Sequence, residues 1–250
     1  MTKTLVCFHG WGGSKESFTE LKEALKHDDV TVLAPDLPGF GDEPDPEHPF
    51  SNDDYADWAL CWLSQQMNNG KLTMKNEWFL LGHSHGGRVA IKLVTEKLSI
   101  LHSKFSIPSH LFLCAAAGIH HPRHIKRVIG LMLAKGGKAI FALPGLRKLE
   151  PLGKTLLYKL VRVHDYEKAS EVMRKTLILV TREDLKPLLR HISVPTDLFW
   201  GTDDGMTPYS DARIMEKEIP HAKLHAYAGV RHRVHRDRAM EIAAVIRTYL

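Results

Sequence analysis

Trp78-Phe79-Leu80-Leu81-Gly82-His83-Ser84-His85-Gly86-Gly87 sets a single serine between glycines directly after an apolar run. The run predicts a buried strand, and the helical periodicity from Arg88 onward places the serine at an abrupt strand-to-helix turn. Such a turn forces strained backbone geometry, and only small flanking residues let the two segments pass each other. It would expose the serine hydroxyl at the top of a sheet, which makes Ser84 the first candidate nucleophile. G-x-S-x-G alone is a common pattern, so its weight comes from the rest of the chain.

Apolar runs ending in Gly, Asp or Ser turns recur at Thr4–Phe8, Val30–Ala34, Trp78–Leu81, His110–Cys114, Thr196–Trp200 and Leu224–Tyr227. Amphipathic stretches of helical period lie between most of them, at Ser14–His27, Ser51–Asn69, Arg88–His102 and Pro208–Glu218, with a last one at Val234–Leu250. Alternating strands and helices predict an α/β fold, a mostly parallel sheet of about six strands covered on both faces, with ligands held at the carboxyl ends of the strands.

A serine hydroxyl is a weak nucleophile at neutral pH. It needs a general base, and the base needs a group that fixes its tautomer and stabilises its charged form. Phe199-Trp200-Gly201-Thr202-Asp203-Asp204 ends one predicted strand in carboxylates, and Ala228-Gly229-Val230-Arg231-His232 follows the next with a histidine. Ser84, Asp204 and His232 thus occur in the order Ser, Asp, His, separated by 120 and then 28 positions.

With these residues in place the chain resembles the α/β-hydrolases along nearly its whole length. His9-Gly10-Trp11-Gly12-Gly13 is similar to the family's oxyanion loop and Asp36-Leu37-Pro38-Gly39-Phe40-Gly41 to its D-x-P-G-x-G turn. Gly82 to Gly86 looks like the nucleophile elbow, Gly201 to Asp204 like the G-x-x-D acid motif, and Gly229 to His232 like the histidine loop. The His-Gly motif begins at residue 9, so the family's usual first strand pair is expected to be absent from this sheet. The resemblance implies that Ser84 attacks a substrate carbonyl, His232 moves the proton and Asp204 holds His232. It also implies that the backbone N–H groups of Trp11 and His85 form the oxyanion hole, with the Trp11 side chain against the acyl pocket.

Several neighbours compete for these roles. Asp203 could be the acid, but G-x-x-D spacing favours Asp204 and leaves Asp203 as a turn or N-cap carboxylate. His235 follows His232 by one helical turn and is expected at the surface or as a helix cap. Asp36 is expected to tether a turn. His120, His121, Arg123 and His124 could suggest a metal, but no Cys or carboxylate at fixed spacing accompanies them, so a solvated start to a helical segment is expected. Arg88 is expected to be a structural ion-pair partner rather than a substrate clamp.

Hydrophobic residues make up 44% of the 250, enough for a core, and no apolar stretch approaches the length of a membrane span. The chain enters a β-like run at once, so no signal peptide is expected. Cys7, Cys61 and Cys114 fall in apolar stretches and are expected to be buried, reduced thiols in a cytoplasmic protein. Residues 119–193 carry 16 Lys/Arg against 6 Asp/Glu, within a chain of net charge +5. That interval is too long for an ordinary connection and is expected to be a helical cap inserted into a core of residues 1–118 and 194–250. Its positive field could attract an anionic substrate, a phospholipid surface or nucleic acid, but no nucleic-acid motif accompanies it and a solvated basic face is expected. The expected activity is a carboxylesterase acting on small or medium acyl esters without a cofactor. The alternatives are a carbon–carbon bond hydrolase or a lyase-like relative of menaquinone biosynthesis acting on an anionic substrate, and a non-catalytic ligand-binding member of the fold. Oligomeric state and acyl specificity are silent in the sequence.

Overall fold

The computed structural model describes residues 3–70, 77–98, 106–121 and 169–250. All six expected strands form: β1 (Lys3–Phe8), β2 (Val30–Leu33), β3 (Trp78–His83), β4 (His110–Cys114), β5 (Thr196–Gly201) and β6 (Lys223–Tyr227). They build one sheet in the order β2-β1-β3-β4-β5-β6, and every neighbouring pair is parallel. The helices are α1 (Thr19–Ala24), α2 (Asn52–Asn68), α3 (His85–Lys92), α4 (Glu171–Arg182), α5 (Lys186–Leu189), α6 (Tyr209–Glu218), α7 (Val234–Asp237) and α8 (Ala239–Arg247). The chain leaves β1 toward β2 and returns on its other side as β3, so the strand order reverses between β1 and β3. In an open parallel sheet a crevice forms at that reversal, above the carboxyl ends of the strands. His9 and Ser84, the residues that follow β1 and β3, stand there.

The strand runs are continuously apolar because helices cover both faces. Residues of β3, β4 and β5 are all buried, whereas the edge strands β2 and β6 are partly exposed. Phe8, Phe79, Phe112, Phe199 and Trp200 fill the centre. Near the opposite ends of the strands, Asp197 accepts hydrogen bonds from His110 (2.7 Å), His225 and the Tyr249 hydroxyl (2.8 Å), which fastens the C-terminal helix region to β4, β5 and β6. Burial opposes ionisation of Asp197, but these three bonds outweigh it and hold the carboxyl below its usual range.

Residues 122–168 of the expected cap lie outside the described residues. The remainder of 119–193 runs between β4 and β5 and is tied to α2 and α3. Phe50 N–H donates to Thr176 Oγ1 at 2.9 Å, Asn52 donates to the Val180 carbonyl at 3.0 Å, and the buried Lys92 ammonium meets Asp53, Glu96 and Glu183 at 2.8 to 3.0 Å. Three expectations are corrected. The helix after Ser84 starts at His85 rather than Arg88 and passes into a π turn at Leu93–Lys97. The C-terminal helix breaks at Arg238, whose φ of −129° and ψ of 34° interrupt the helical path. Cys61 is exposed, because it falls between the inward positions Ala59 and Leu63 of α2, while Cys7 and Cys114 are buried; all three are free thiols.

Candidate active site

Ser84 sits at φ 51° and ψ −113°, a region that L-residues avoid, at the junction of β3 and α3. Bonds on both sides over-determine it. Ser84 N–H donates to Cys114 O at 3.2 Å, and Ser84 O accepts from Gly87 N–H (3.0 Å) and Ala117 N–H (2.9 Å). The glycines are steric necessities: a Cβ on Gly82 would lie 2.6 Å from Gly86 O, and one on Gly86 would overlap the Phe8 carbonyl. Ala115, just past β4, also has positive φ, at 43°. Backbone strain therefore gathers where the two strand ends meet.

Beside Ser84, the loop after β1 is held by His9, which is fully buried. Its Nδ1 contacts Gly10 O at 2.8 Å, and its Nε2 accepts from Leu37 N–H at 2.9 Å. These partners require the neutral Nδ1–H tautomer, and burial lowers the pKa of the ring accordingly. Asp36 tethers the facing turn, accepting from Lys15 N–H at 2.6 Å and Asp42 N–H at 3.0 Å. Among the described residues neither the Trp11 nor the His85 backbone N–H is donated to a protein acceptor. The Trp11 ring packs edge-on against Phe40 and His85, with centroids 4.9 and 5.6 Å apart.

Asp204 and His232 come together on the loops after β5 and β6. His232 Nδ1 lies 2.8 Å from Asp204 Oδ2. Asp204 Oδ1 accepts from Met206 N–H (2.7 Å) and Thr207 N–H (3.0 Å), and the Thr207 hydroxyl stands 2.8 Å from Oδ2. Desolvation opposes the Asp204 charge, yet the bonds from His232, Met206 and Thr207 prevail and hold its pKa below the ordinary carboxylate value. Asp203 is exposed and touches only the Thr202 hydroxyl, at 2.9 Å, among side chains. Among the described residues no hydrogen bond joins Ser84 Oγ to the His232 ring; in ligand-free sites such contacts are often long and tighten when substrate binds.

Thr207 is a site neighbour outside the sequence motifs, and His83 lies within the elbow motif, which assigns it no role. His83 Nε2 donates to His232 O at 3.1 Å, which fixes the backbone of the histidine loop. The expectation for His235 is corrected: it is 2% exposed, its ring 3.7 Å from that of His83 and 5.6 Å from that of Phe18. Tertiary neighbours from β3 and the turn before α1 bury it, a burial that helical spacing does not show.

A cavity of about 230 Å³ opens at Ser84. Trp11, Ile119, Leu177, Val180 and Met206 give it apolar walls, and His85, Arg88, Thr181, Thr207 and Asp211 its polar ones. Arg88 departs from its expected ion pair, because Nη1 donates to the backbone carbonyl of Glu183 at 2.9 Å. His121 contacts the Asp211 carboxylate at 2.8 and 2.9 Å rather than lying in solvent. Arg123 and His124 lie outside the described residues, among which no group of three or more His, Cys, Asp or Glu could hold a metal.

The buried rings give the site an acid sensitivity. Desolvation first, and then neighbouring positive charge, lowers the pKa of both His85 and His235 to about 3. Unfolded, each takes up a proton near pH 6.5. The folded state therefore binds fewer protons between those limits, and stability is lost as pH falls below about 6.5 toward 3, by up to about 1.4 kcal/mol per pH unit for each ring. Urea unfolding is expected to give a lower free energy at pH 5 than at pH 7, before the carboxylates protonate. A flat profile would refute this.

Comparison with known proteins agrees with this architecture. The profile described as the alpha/beta hydrolase family matches residues 5–245. A pimeloyl-[acyl-carrier protein] methyl ester esterase of Neisseria meningitidis is 24% identical over 253 positions, covering 99% of this chain and 93% of that protein. Lipase 1 of Psychrobacter immobilis is 22% identical over 226 positions, covering 88% and 68%. Among solved structures, an esterase from Exiguobacterium antarcticum superposes with a TM-score of 0.70 at 21% identity, over 99% of this chain and 91% of that one. With a parallel six-stranded sheet, a strained serine at its reversal point and a match across almost the entire length, the chain belongs to the alpha/beta hydrolase family.

Proposed function

We propose that this hydrolase cleaves carboxylic esters of small or medium acyl groups through an acyl-enzyme. The observation that carries the proposal is the Asp204–His232 contact at 2.8 Å, on loops above the sheet end that presents Ser84 to the cavity. Asp204 accepts from Nδ1–H and thereby fixes the tautomer whose Nε2 takes the Ser84 proton and later gives it to the leaving alcohol. Ser84 Oγ attacks the ester carbonyl, and the free N–H groups of Trp11 and His85 receive the oxyanion, each contributing about 3 kcal/mol. Water then repeats the attack on the acyl-enzyme. No cofactor enters any of these steps.

The cavity volume lies below the usual range of drug-sized sites, which supports small acyl groups. A methyl ester esterase among the relatives supports a small alcohol. The described part of residues 119–193 supports the cap reading, since α4 contributes Leu177, Val180 and Thr181 to the cavity. Three free thiols, two of them buried, support a reducing cytoplasmic setting. The test is labelling of the wild-type protein with a fluorophosphonate, followed by peptide mapping and a panel of p-nitrophenyl esters of graded acyl length. The expected adduct is on Ser84, with kcat/KM falling for long acyl chains. An adduct on another serine would overturn the mechanism, and a preference for long chains would overturn the substrate class.

A further inference from the structure

Arg88 stands one helical turn past Ser84 on α3 and forms part of the cavity wall, although only 5% of it is exposed. Among the described residues its guanidinium has one hydrogen-bond partner, Glu183 O, and no carboxylate within ion-pairing distance. A guanidinium carries five N–H donors, and no nitrogen of Arg88 is both sealed from solvent and unpartnered, so the donors not used by Glu183 O remain accessible at the cavity wall. Lys92, one turn further along the same helix, shows how this fold satisfies a cation with a structural task, through three carboxylates. Arg88 is treated differently. Glu183, Asp184 and Asp211 are close enough to act on its charge, yet none closes on it. Asp211, the carboxylate on the same cavity, is engaged by His121. Although burial lowers its pKa to about 10, Arg88 stays charged at neutral pH.

The cavity runs from the nucleophile to this cation. One helical turn is about 5.4 Å, and helix side chains lean back toward the N-terminus, so the guanidinium lies within a short chain's reach of Ser84 Oγ. The acyl group stays attached between the two chemical steps while the alcohol leaves, so the space beside the nucleophile suits the acyl side. Resting on the esterase function above, we propose that Arg88 is a specificity-determining residue whose free N–H donors bind an acceptor oxygen, carbonyl or carboxylate, carried on the substrate's acyl chain.

The test compares p-nitrophenyl hexanoate, 5-oxohexanoate and hydrogen adipate. The wild-type protein is expected to favour at least one oxygen-bearing chain over hexanoate by about ten- to a hundredfold in kcat/KM, chiefly through KM, as for hydrogen bonds to a charged group. Adipate leads if the site takes an anion, and 5-oxohexanoate matches it if a neutral oxygen suffices. In Arg88→Met the ratio is expected to fall to near one, while Arg88→Lys keeps part of any preference for adipate. A wild-type ratio near one, or a ratio unchanged in Arg88→Met, overturns the proposal. Calorimetric binding of hexanamide, 5-oxohexanamide and adipamate, whose reacting end carries no carboxylate, reads the same preference in the wild-type protein without a variant that must fold. That measurement also separates the two levels: absence of hexanoate ester turnover removes the esterase function, whereas equal binding of the three amides removes the Arg88 subsite alone.

Discussion

Ser84→Ala is expected to abolish fluorophosphonate labelling and to lower ester turnover by a factor on the order of 10⁵ to 10⁶. Only the oxyanion donors and the cavity would remain, and these sustain about 10³ to 10⁴ over water. Alanine keeps the Cβ and therefore the strain at φ 51° and ψ −113°, so the loss is chemical. Ser84→Gly supplies the contrast. Glycine accepts positive φ without a Cβ clash, so Ser84→Gly should be as inactive as Ser84→Ala but melt at a higher temperature, since relief of about 1 to 3 kcal/mol of strain exceeds the roughly 0.5 to 1 kcal/mol entropic cost of glycine. Equal melting temperatures would show that the elbow stores no usable strain. Labelling and turnover retained in Ser84→Ala would remove the nucleophile assignment.

The elements that the sequence revealed best are those whose burial is settled by their own composition. Val6, Leu80, Leu111 and Leu198 lie in runs apolar on both faces, and such runs fit only a covered parallel sheet. The strand order was not among the things the sequence showed: the reversal between β1 and β3, which brings the loops of His9 and Ser84 together, is a matter of which strands pair. Boundaries set by contact between distant segments were not visible. Helical periodicity was visible only from Arg88, yet Gly86 and Gly87 already belong to α3, where Phe8 O and the Ala116 methyl leave no room for a larger residue.

The candidate site divides along the same line. Ser84, Asp204 and His232 sit in patterned turns, and the structure brings Asp204 and His232 into contact while presenting Ser84 to the cavity. His83 and His235 are neighbours of Ser84 and His232 along the chain, but the contacts that join them to each other and to the histidine loop, like the bond from Thr207 to Asp204, arise between segments distant in sequence or without a motif. Arg88 is the instructive failure. A charged residue on a helix most often finds a carboxylate, and here the nearby Glu183 carboxylate goes instead to Lys92 while its backbone carbonyl meets Arg88.

Asp204→Asn is expected to lower kcat by about 10⁴, the loss known when the acid of such a triad becomes an amide. The reason is visible in the donors around the carboxylate. Asp204 faces Met206 N–H, Thr207 N–H, the Thr207 hydroxyl and the His232 Nδ1, an arrangement suited to an acceptor with two charged oxygens. An amide offers one oxygen and one NH₂. Because the two backbone N–H groups keep the oxygen, the NH₂ turns toward His232 and the Thr207 hydroxyl, and the N–H that faces the ring is satisfied when Nδ1 becomes the acceptor. The ring proton then sits on Nε2, where the base function is needed. Asp203→Asn changes an exposed side chain that contacts only Thr202, so its kcat should stay within about twofold, as for surface substitutions generally. Steady-state kinetics on both variants with one short-chain ester, beside a thermal melt of each, decides the matter. Equal losses, or a larger one at Asp203, would move the acid from Asp204 and take with it the tautomer argument on which the role of His232 depends.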